Sequence, residues 1–143
     1  MAITQLSVFL ENKPGQLAAA VKLISEGGVN IRALSLADTR DFGILRLIVS
    51  DNKKAKELLA EKSIVTETPV IAVKMEDEAG ALNRILQSLQ EEQINVEYLY
   101  AFTGAAAYSA YTVLRVDDAA HAELVLKNAG VATLTDAELM QLL

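Results

Sequence analysis

The stretch LSVFLENKPGQL, residues 6–17, decides the fold, because the chain repeats its pattern as IAVKMEDEAGAL at residues 71–82. The offset between the copies is 65 residues at first and becomes 67 residues after a loop that is longer in the second copy. The matched pairs are Gly15 with Gly80, Leu17 with Leu82, Glu26 with Glu91, Asn30 with Asn95, Leu34 with Leu99, Val49 with Val116, Asp51 with Asp118, Leu59 with Leu126 and Thr66 with Thr133. A period of this length exceeds that of solenoid repeats, so it predicts a duplicated small domain, residues 1–69 and 70–143.

Composition narrows the class of protein. The 143 residues are 52% hydrophobic, carry a formal net charge of −6 and include no Cys. The hydrophobic content is enough for a core, while the acidic balance argues against binding to the phosphate backbone of nucleic acid. The lack of Cys excludes disulfides and thiolate chemistry and suits the cytoplasm. No signal peptide and no membrane-spanning apolar run is visible, so we expect a cytoplasmic protein that does not bind a membrane.

The first copy reads as a β-α-β-β-α-β unit. Leu6, Val8 and Leu10 recur with the period of a strand that has one face in a core. Turn residues follow at positions 12–15, and the helical pattern of Leu17, Val21 and Ile24 ends at Gly27-Gly28. Strands at residues 30–37 and 44–49, a helix capped by Asp51 and a short strand at residues 65–68 complete the unit.

The second copy repeats this order. It has strands at residues 71–75, 96–102, 110–116 and 131–134, a helix with apolar Leu82, Leu86 and Leu89, and a helix with apolar Ala122, Val125 and Leu126. Right-handed crossovers turn the order into an antiparallel four-stranded sheet with both helices on one face. The predicted fold class is therefore α+β, with two ferredoxin-like βαββαβ domains in tandem. Residues 68–70 offer no flexible linker, and Thr135-Asp136 would cap a final short helix.

The strand at residues 96–102 is apolar on both faces, although the helices cover only one face of the sheet. Tyr98, Tyr100 and Phe102 share one face, and Leu99 and Ala101 share the other. Three interpretations are open: partly exposed aromatic residues without a role, a face covered by the other copy or by a second chain, and a base-stacking platform. We favour a covered face. The acidic charge of the chain and the small residues at the aligned positions of the first copy argue against the base-stacking platform.

Candidates for catalysis are few. His121, the only histidine, falls in an amphipathic helix and aligns with Lys54, so we expect it to be solvated. One histidine without cysteine cannot form the usual zinc site, no glycine-rich loop has phosphate-binding spacing, and no serine has a base to activate it. We therefore predict a protein that is not an enzyme, uses no cofactor and holds no metal.

The turn NKPGQL at residues 12–17 is the candidate binding site. It places backbone N–H groups at a helix N-terminus, where the helix dipole favours an anion such as a carboxylate. Gly15 lets a ligand approach the backbone, and Asn12 offers an acceptor and a donor to the ammonium and carboxylate of an α-amino acid. Asn30 opens the next strand, whose start we expect near the same end of the sheet. The alternative is that Asn12 and Asn30 are simply turn residues.

The element order, this turn and Gly28-Val29-Asn30-Ile31 after the helix resemble an ACT domain. The second copy resembles one through residues 76–82 and 93–96. The resemblance covers the whole chain and implies a tandem ACT-domain protein, a regulatory module that binds amino acids where paired domains merge their sheets. In the serine-sensing branch, two Asn residues hold the ligand, and they correspond to Asn12 and Asn30. That branch also has a His where this chain has Leu10, which argues against serine.

The copies differ at the proposed site. Asp77 replaces Asn12, and the acidic run at residues 76–78 is expected to repel a ligand carboxylate and favour its ammonium. We therefore predict that the first-copy turn binds the carboxylate end and that the second copy supplies acidic or aromatic contacts. The predicted ligand-binding residues are Leu10, Asn12, Lys13, Pro14, Gly15, Gln16, Leu17, Asn30, Ile31, Asp77, Gly80 and Asn95.

The predicted function is that of a stand-alone regulatory protein that senses an α-amino acid at ACT-domain interfaces, as a homodimer joined through sheet edges or helices. Its output would pass to a separate partner enzyme of amino-acid metabolism. The alternative is a ligand-free regulatory subunit of a biosynthetic enzyme, acting by protein contact through the aromatic strand. An apolar lining near Leu10 favours a branched-chain or aromatic ligand. The loop at residues 104–107 is either a lid over the ligand or a plain hairpin loop.

Overall fold

The computed structural model describes residues 3–103 and 109–142. The described chain divides into two compact units, one formed by residues 4–68 and the other by residue 3 with residues 69–142. The limits of 1–69 and 70–143 stay a prediction. The loop at residues 104–107, read as a lid or a hairpin loop, and Leu143 lie outside the described residues.

The first unit is a sheet with two helices. In chain order it contains β1 (Ile3–Glu11), α1 (Gln16–Glu26), β2 (Ile31–Asp38), β3 (Phe42–Val49), α2 (Asn52–Leu59) and the beginning of β4 (Ile64–Glu76). The strand order is β2-β3-β1-β4, and β3 pairs antiparallel with both β1 and β2. On the β4 side, the hydroxyl oxygens of Ser7 and Thr68 lie 3.1 Å apart.

One face of this sheet carries the core of the first unit. The buried cluster joins alternate residues of β1 and β3 to residues of both helices: Leu6, Val8, Leu10, Ala20, Ile24, Val29, Leu45, Leu47, Val49, Ala55 and Leu59. Both helices therefore pack on the same face, as the sequence predicts. The alternation of β1 follows from the pleat of a strand, which places every second side chain in this core.

The second unit repeats the arrangement. It contains the end of β4, α3 (Ala81–Glu91), β5 (Val96–Thr103), β6 (Ser109–Val116), α4 (Ala119–Asn128), β7 (Ala132–Leu134) and α5 (Asp136–Leu142). Its strand order is β5-β6-β4-β7, with β4 paired antiparallel to β6 and β7. The predicted α+β class and the two ferredoxin-like βαββαβ repeats are confirmed. No helix in the described ranges is long and apolar enough to cross a membrane.

Side-chain caps fix the starts of three helices. Asp51 accepts a hydrogen bond from the Lys54 N–H at 3.1 Å, and Asp118 accepts one from the His121 N–H at 3.1 Å. At α5, the Thr135 hydroxyl accepts from the Glu138 N–H while the Glu138 carboxylate accepts from the Thr135 N–H. This reciprocal pair is a capping box, and it satisfies two N–H groups that a helix start otherwise leaves unpaired.

Two details of the sequence prediction were wrong. The short strand predicted at residues 65–68 and the strand at 71–75 form one continuous strand, β4, because Pro69 fits an extended backbone and lacks only its N–H. In α3 the buried residues are Ala81, Ile85 and Leu89, whereas Leu82 and Leu86 are only half-buried. Ile85 and Leu89 join the core cluster, so the buried face of the helix differs from the face that Leu82 and Leu86 indicate.

The face of the second sheet opposite the helices is partly buried. Tyr111 and Val113 of β6 are 0% exposed and alternate with Leu114 and Val116, which belong to the helix-side core. Tyr98, Tyr100 and Phe102 of β5 are half-buried, and the Phe102 ring stacks on the Tyr111 ring at 5.5 Å between centroids. Burial therefore extends along β6 on this face, while β5 keeps its aromatic side chains partly exposed.

Candidate functional site

The first-copy turn forms a shallow pocket at the end of β1. Gly15 adopts a left-handed backbone with φ of 86° directly before α1, and the Gln16 N–H donates to the Lys13 carbonyl at 3.3 Å. The adjoining cavity has a volume of about 70 Å³ and is lined by Leu10, Glu11, Asn12, Lys13, Leu17, Leu36, Asp38 and Gly43. Binding sites for small molecules have volumes of about 300 Å³ or more, so this cavity by itself cannot enclose an amino acid. The structure thus brings Leu10, Asn12, Lys13 and Leu17 together on an open surface.

Asn12 is held against the turn between β2 and β3. Its backbone N–H donates to the Asp41 carbonyl at 3.0 Å, and its side-chain Nδ2 lies 3.5 Å from the Thr39 carbonyl. The second contact is at the upper limit for a hydrogen bond. The Oδ1 atom of Asn12 is an acceptor, which suits a ligand ammonium group better than a ligand carboxylate.

Lys13 is paired with its neighbour. Its Nζ lies 2.8 Å from Oε2 of Glu11, and both side chains are exposed. The hydrogen bond to the Glu11 carboxylate, followed by its charge, raises the pKa of Lys13. Lys13 therefore stays cationic, but a ligand carboxylate must compete with Glu11 for it. Pro14 and Gln16 are exposed beside the turn.

The expectation that Asn30 lies near Asn12 was wrong for a single copy. β1 and β2 both pair antiparallel with β3, with Glu11 opposite Phe42 and Asp38 opposite Gly43, whereas Ile31 is opposite Val49. Asn30 therefore lies at the far end of the sheet, roughly 20 Å from Asn12 at about 3.3 Å per residue. The physical reason is that α1 returns the chain along the sheet, so that β1 and β2 run parallel.

At that far end of the sheet, the backbone of Asn30 is hydrogen-bonded to the residue that follows β3. Its backbone N–H donates to Oγ of Ser50 at 2.9 Å, and its carbonyl accepts from the Ser50 N–H at 2.9 Å. Ile31 packs against the core. The second copy repeats this placement, since the Asn95 N–H donates to Oδ1 of Asp117 at 3.1 Å. Asn95 is therefore separated from Asp77 and Gly80 in the same way.

The second-copy turn has the same backbone but a different charge pattern. Gly80 has φ of 91°, and Asp77 is exposed two residues before Ala79. Nη2 of Arg84 donates to Oε1 of Glu78 at 3.0 Å. The hydrogen bond from Arg84, and after it one with Glu76, holds the pKa of Glu78 below its usual range. The acidic run is therefore partly neutralised by Arg84, which the sequence reasoning did not take into account.

A second cavity, also absent from the sequence prediction, adjoins this turn. Its volume is about 360 Å³, and its lining includes Met75, Arg84, Ile85, Ser88 and Val131. The signal in the sequence was weak: alanine and glycine stand at positions 129, 130 and 132. These small residues line the cavity because the turn before β7 lies against α3.

The remaining candidate groups are surface features. Nε2 of His121 lies 3.8 Å from a Glu92 oxygen, and both side chains are largely solvent-exposed. Among the described residues, no three His, Asp or Glu side chains are grouped in a way that could hold a metal ion.

Comparisons with known proteins agree with this fold. A family model described as an ACT domain pair matches residues 1–143. The crystal structure of protein BT0572 from Bacteroides thetaiotaomicron is 36% identical, with a TM-score of 0.90, and the match covers 97% of this chain and 96% of that chain. The ligand-free regulatory subunit of aspartate kinase from Thermus thermophilus is 14% identical, with a TM-score of 0.65, and the match covers 88% of this chain and 91% of that chain; it shows likeness of fold alone. No curated protein sequence matches significantly.

Proposed function

This chain belongs to the ACT domain pair family, and we propose on that premise that it is a regulatory protein that binds an α-amino acid and has no catalytic activity of its own. The observation that carries the proposal is the left-handed Gly15 turn before α1, with Asn12 and Lys13 beside it. Backbone N–H groups at the helix start attract a carboxylate, and the Asn12 oxygen accepts from an ammonium group.

A second copy of the chain would complete the site. β2 lies at the end of the strand order of its unit, and its Leu34 and Leu36 are 50% and 48% exposed. If two β2 strands pair antiparallel about a two-fold axis beside Leu34, residue 30 of one chain lies opposite residue 38 of the other, next to Thr39. The partner subunit's Asn30 would then reach Thr39, whose carbonyl already contacts Asn12. A homodimer therefore supplies the second Asn that one chain cannot bring to the site.

The regulated partner, in this proposal, is a separate enzyme of amino-acid metabolism in the cytoplasm. The structure from Thermus thermophilus supports this idea by analogy of fold, since that protein is a regulatory subunit of aspartate kinase. Ligand binding between subunits would change their preferred arrangement and so supply the differential affinity that an allosteric output requires. We take residues 1–69 and 70–143 as the two domains of this regulator.

A thermal-shift panel of the twenty amino acids followed by calorimetry tests the proposal. A ligand at about 100 times its dissociation constant should raise the free energy of unfolding by about 2.7 kcal/mol. Asn12→Ala should weaken binding of that ligand about tenfold, since a hydrogen bond to a charged group contributes about 1.5–3 kcal/mol. Asp77→Ala tests the contribution of the second copy. Asn83→Ala, at an exposed position in the first turn of α3, is the matched control and should bind normally.

Unchanged affinity in both Asn12→Ala and Asp77→Ala would contradict the proposed site. A panel without any shift, together with a partner enzyme recovered with the tagged protein, would favour the alternative function of a ligand-free regulatory subunit. The half-exposed aromatic side chains of β5 are the observation that favours this alternative, because Tyr98 and Tyr100 offer apolar contact area on a sheet edge.

A further inference from the structure

The second unit has a cavity that the proposed first-copy site does not use. It lies where α3, the end of β4 and the turn between α4 and β7 meet, and its volume is about 360 Å³. Arg84 and Ser88 give it polar groups on one side, while Ile85, Met75 and Val131 give it an apolar wall. Small-molecule sites have volumes from about 300 Å³ upward and combine apolar walls with a few polar groups in this way.

Comparison of the two copies indicates that this cavity is specific to the second one. The equivalent cavity of the first unit is smaller, about 210 Å³. At four of the duplicated positions the second copy has the smaller side chain: Ala81 against Gln16, Ala129 against Lys62, Gly130 against Ser63, and Ser88 against Leu23. These four positions widen the groove in the second copy, whereas Arg84 and Ile85 are larger than the aligned Ala19 and Ala20 of the first copy.

Arg84 is the residue that gives the cavity its chemistry, and the first copy has Ala19 in its place. Nη2 of Arg84 is bound to Glu78 at 3.0 Å, and Nη1 lies 3.6 Å from the point where a Cβ on Gly80 would be. The guanidinium group, on a side chain that is 63% exposed, thus lies near the N-terminal end of α3, where the helix dipole disfavours a cation. A bound anion would add to the compensation that Glu78 already provides. Because a guanidinium group has five N–H donors, the contact with Glu78 leaves donors for a second carboxylate.

We propose that this cavity binds a small aliphatic carboxylate, either an α-amino acid or the corresponding 2-oxo acid. Its carboxylate would contact Arg84 and the start of α3, and its aliphatic part would pack against Ile85 and Met75. Glu76, which also lines the cavity, is the acceptor for the ammonium group of an amino acid. The choice of ligand class rests on the proposed function, but the site is separate from the Asn12 turn.

Calorimetry on the full chain with leucine and with 4-methyl-2-oxopentanoate tests this inference. Arg84→Gln should weaken binding of the occupant tenfold or more, because a charge-assisted hydrogen bond is lost. Arg84→Lys should recover part of the loss, and Ser88→Leu, which introduces the first-copy residue, should weaken binding by filling the cavity. Lys22→Gln, an exposed cation on α1, is the matched control and should bind normally. Melting curves without ligand establish that each variant is folded.

The probes and variants separate the outcomes. Binding of both probes shows that the carboxylate is recognised, and binding of leucine alone shows that the ammonium group is recognised as well; both results support the inference. It is overturned if neither probe binds the wild-type chain, or if Arg84→Gln and Ser88→Leu bind as tightly as the wild type. Leucine binding that is lost in Asn12→Ala but kept in Arg84→Gln overturns this inference and leaves the first-copy site standing.

Discussion

Gly15 and Gly80 occupy the same unusual backbone conformation in the two copies. Their φ angles are 86° and 91°, and each residue directly precedes a helix. A Cβ added at Gly15 would meet no atom within 4 Å. Glycine is therefore needed for its backbone freedom, and not because a side chain would lack space. A left-handed conformation costs an ordinary L-residue about 1–2 kcal/mol.

Replacement of Gly15 tests this explanation. Gly15→Ala should lower the free energy of unfolding by about 1 kcal/mol, because alanine must adopt the left-handed conformation. Gly15→Asn is the matched variant and should lose less, since asparagine tolerates positive φ better than alanine. Urea denaturation of the two variants beside the wild type gives the values. Equal losses for alanine and asparagine would point to a cause other than backbone conformation.

At the scale of elements, the sequence predicts which strands and helices form, but it does not always predict how their residues lie relative to one another. Period-two alternation and turn residues were enough for β1 and α1, because both depend on neighbours in sequence. The separation of Asn12 from Asn30 is a consequence of the topology, since a βαβ crossover makes its two strands parallel. In the sequence the two residues flank the same helix, and this proximity wrongly suggested that they lie at the same end of the sheet. The buried face of α3 could not be read from its leucines, because Ile85 and Leu89 join the core cluster whereas Leu82 and Leu86 are only half-buried.

The contribution of the aspartate caps of α2 and α4 to the stability of the fold can be measured by mutation. Asp51→Ala and Asp118→Ala should each lower the free energy of unfolding by about 1 kcal/mol, since each removes the acceptor for an N–H in the first turn. Asp51→Asn keeps an acceptor and should remain near the wild type. Chemical denaturation with circular dichroism detection measures all three variants. A loss for Asp51→Asn as large as that for Asp51→Ala would assign the effect to charge and not to capping.

At the scale of the whole molecule, duplication explains why only part of the candidate site could be predicted. The residues that the copies share, such as Gly15 and Gly80, maintain the turn before each first helix, and they are visible in the sequence alone. The cavity beside Arg84 arises where residues from three separate elements meet, so its alanines and glycine look unremarkable along the chain. The copies thus share a scaffold, while their surface chemistry differs at Ala19 against Arg84 and at Asn12 against Asp77.

We expect the exposed β2 strand to be the point of dimerisation, because a long apolar edge strand can pair with a second chain. The double variant Leu34→Lys/Leu36→Lys should be monomeric in sedimentation where the wild type is dimeric, since four lysines would meet across the two-fold axis. Its amino-acid affinity should fall as well, because the partner subunit's Asn30 no longer reaches the Asn12 turn and because Leu36 itself lines the adjoining cavity. Leu124→Lys, at a residue of α4 that is 57% exposed, is the control and should stay dimeric. A monomeric wild type, or a double variant that remains dimeric and binds normally, would remove β2 pairing from the proposed mechanism.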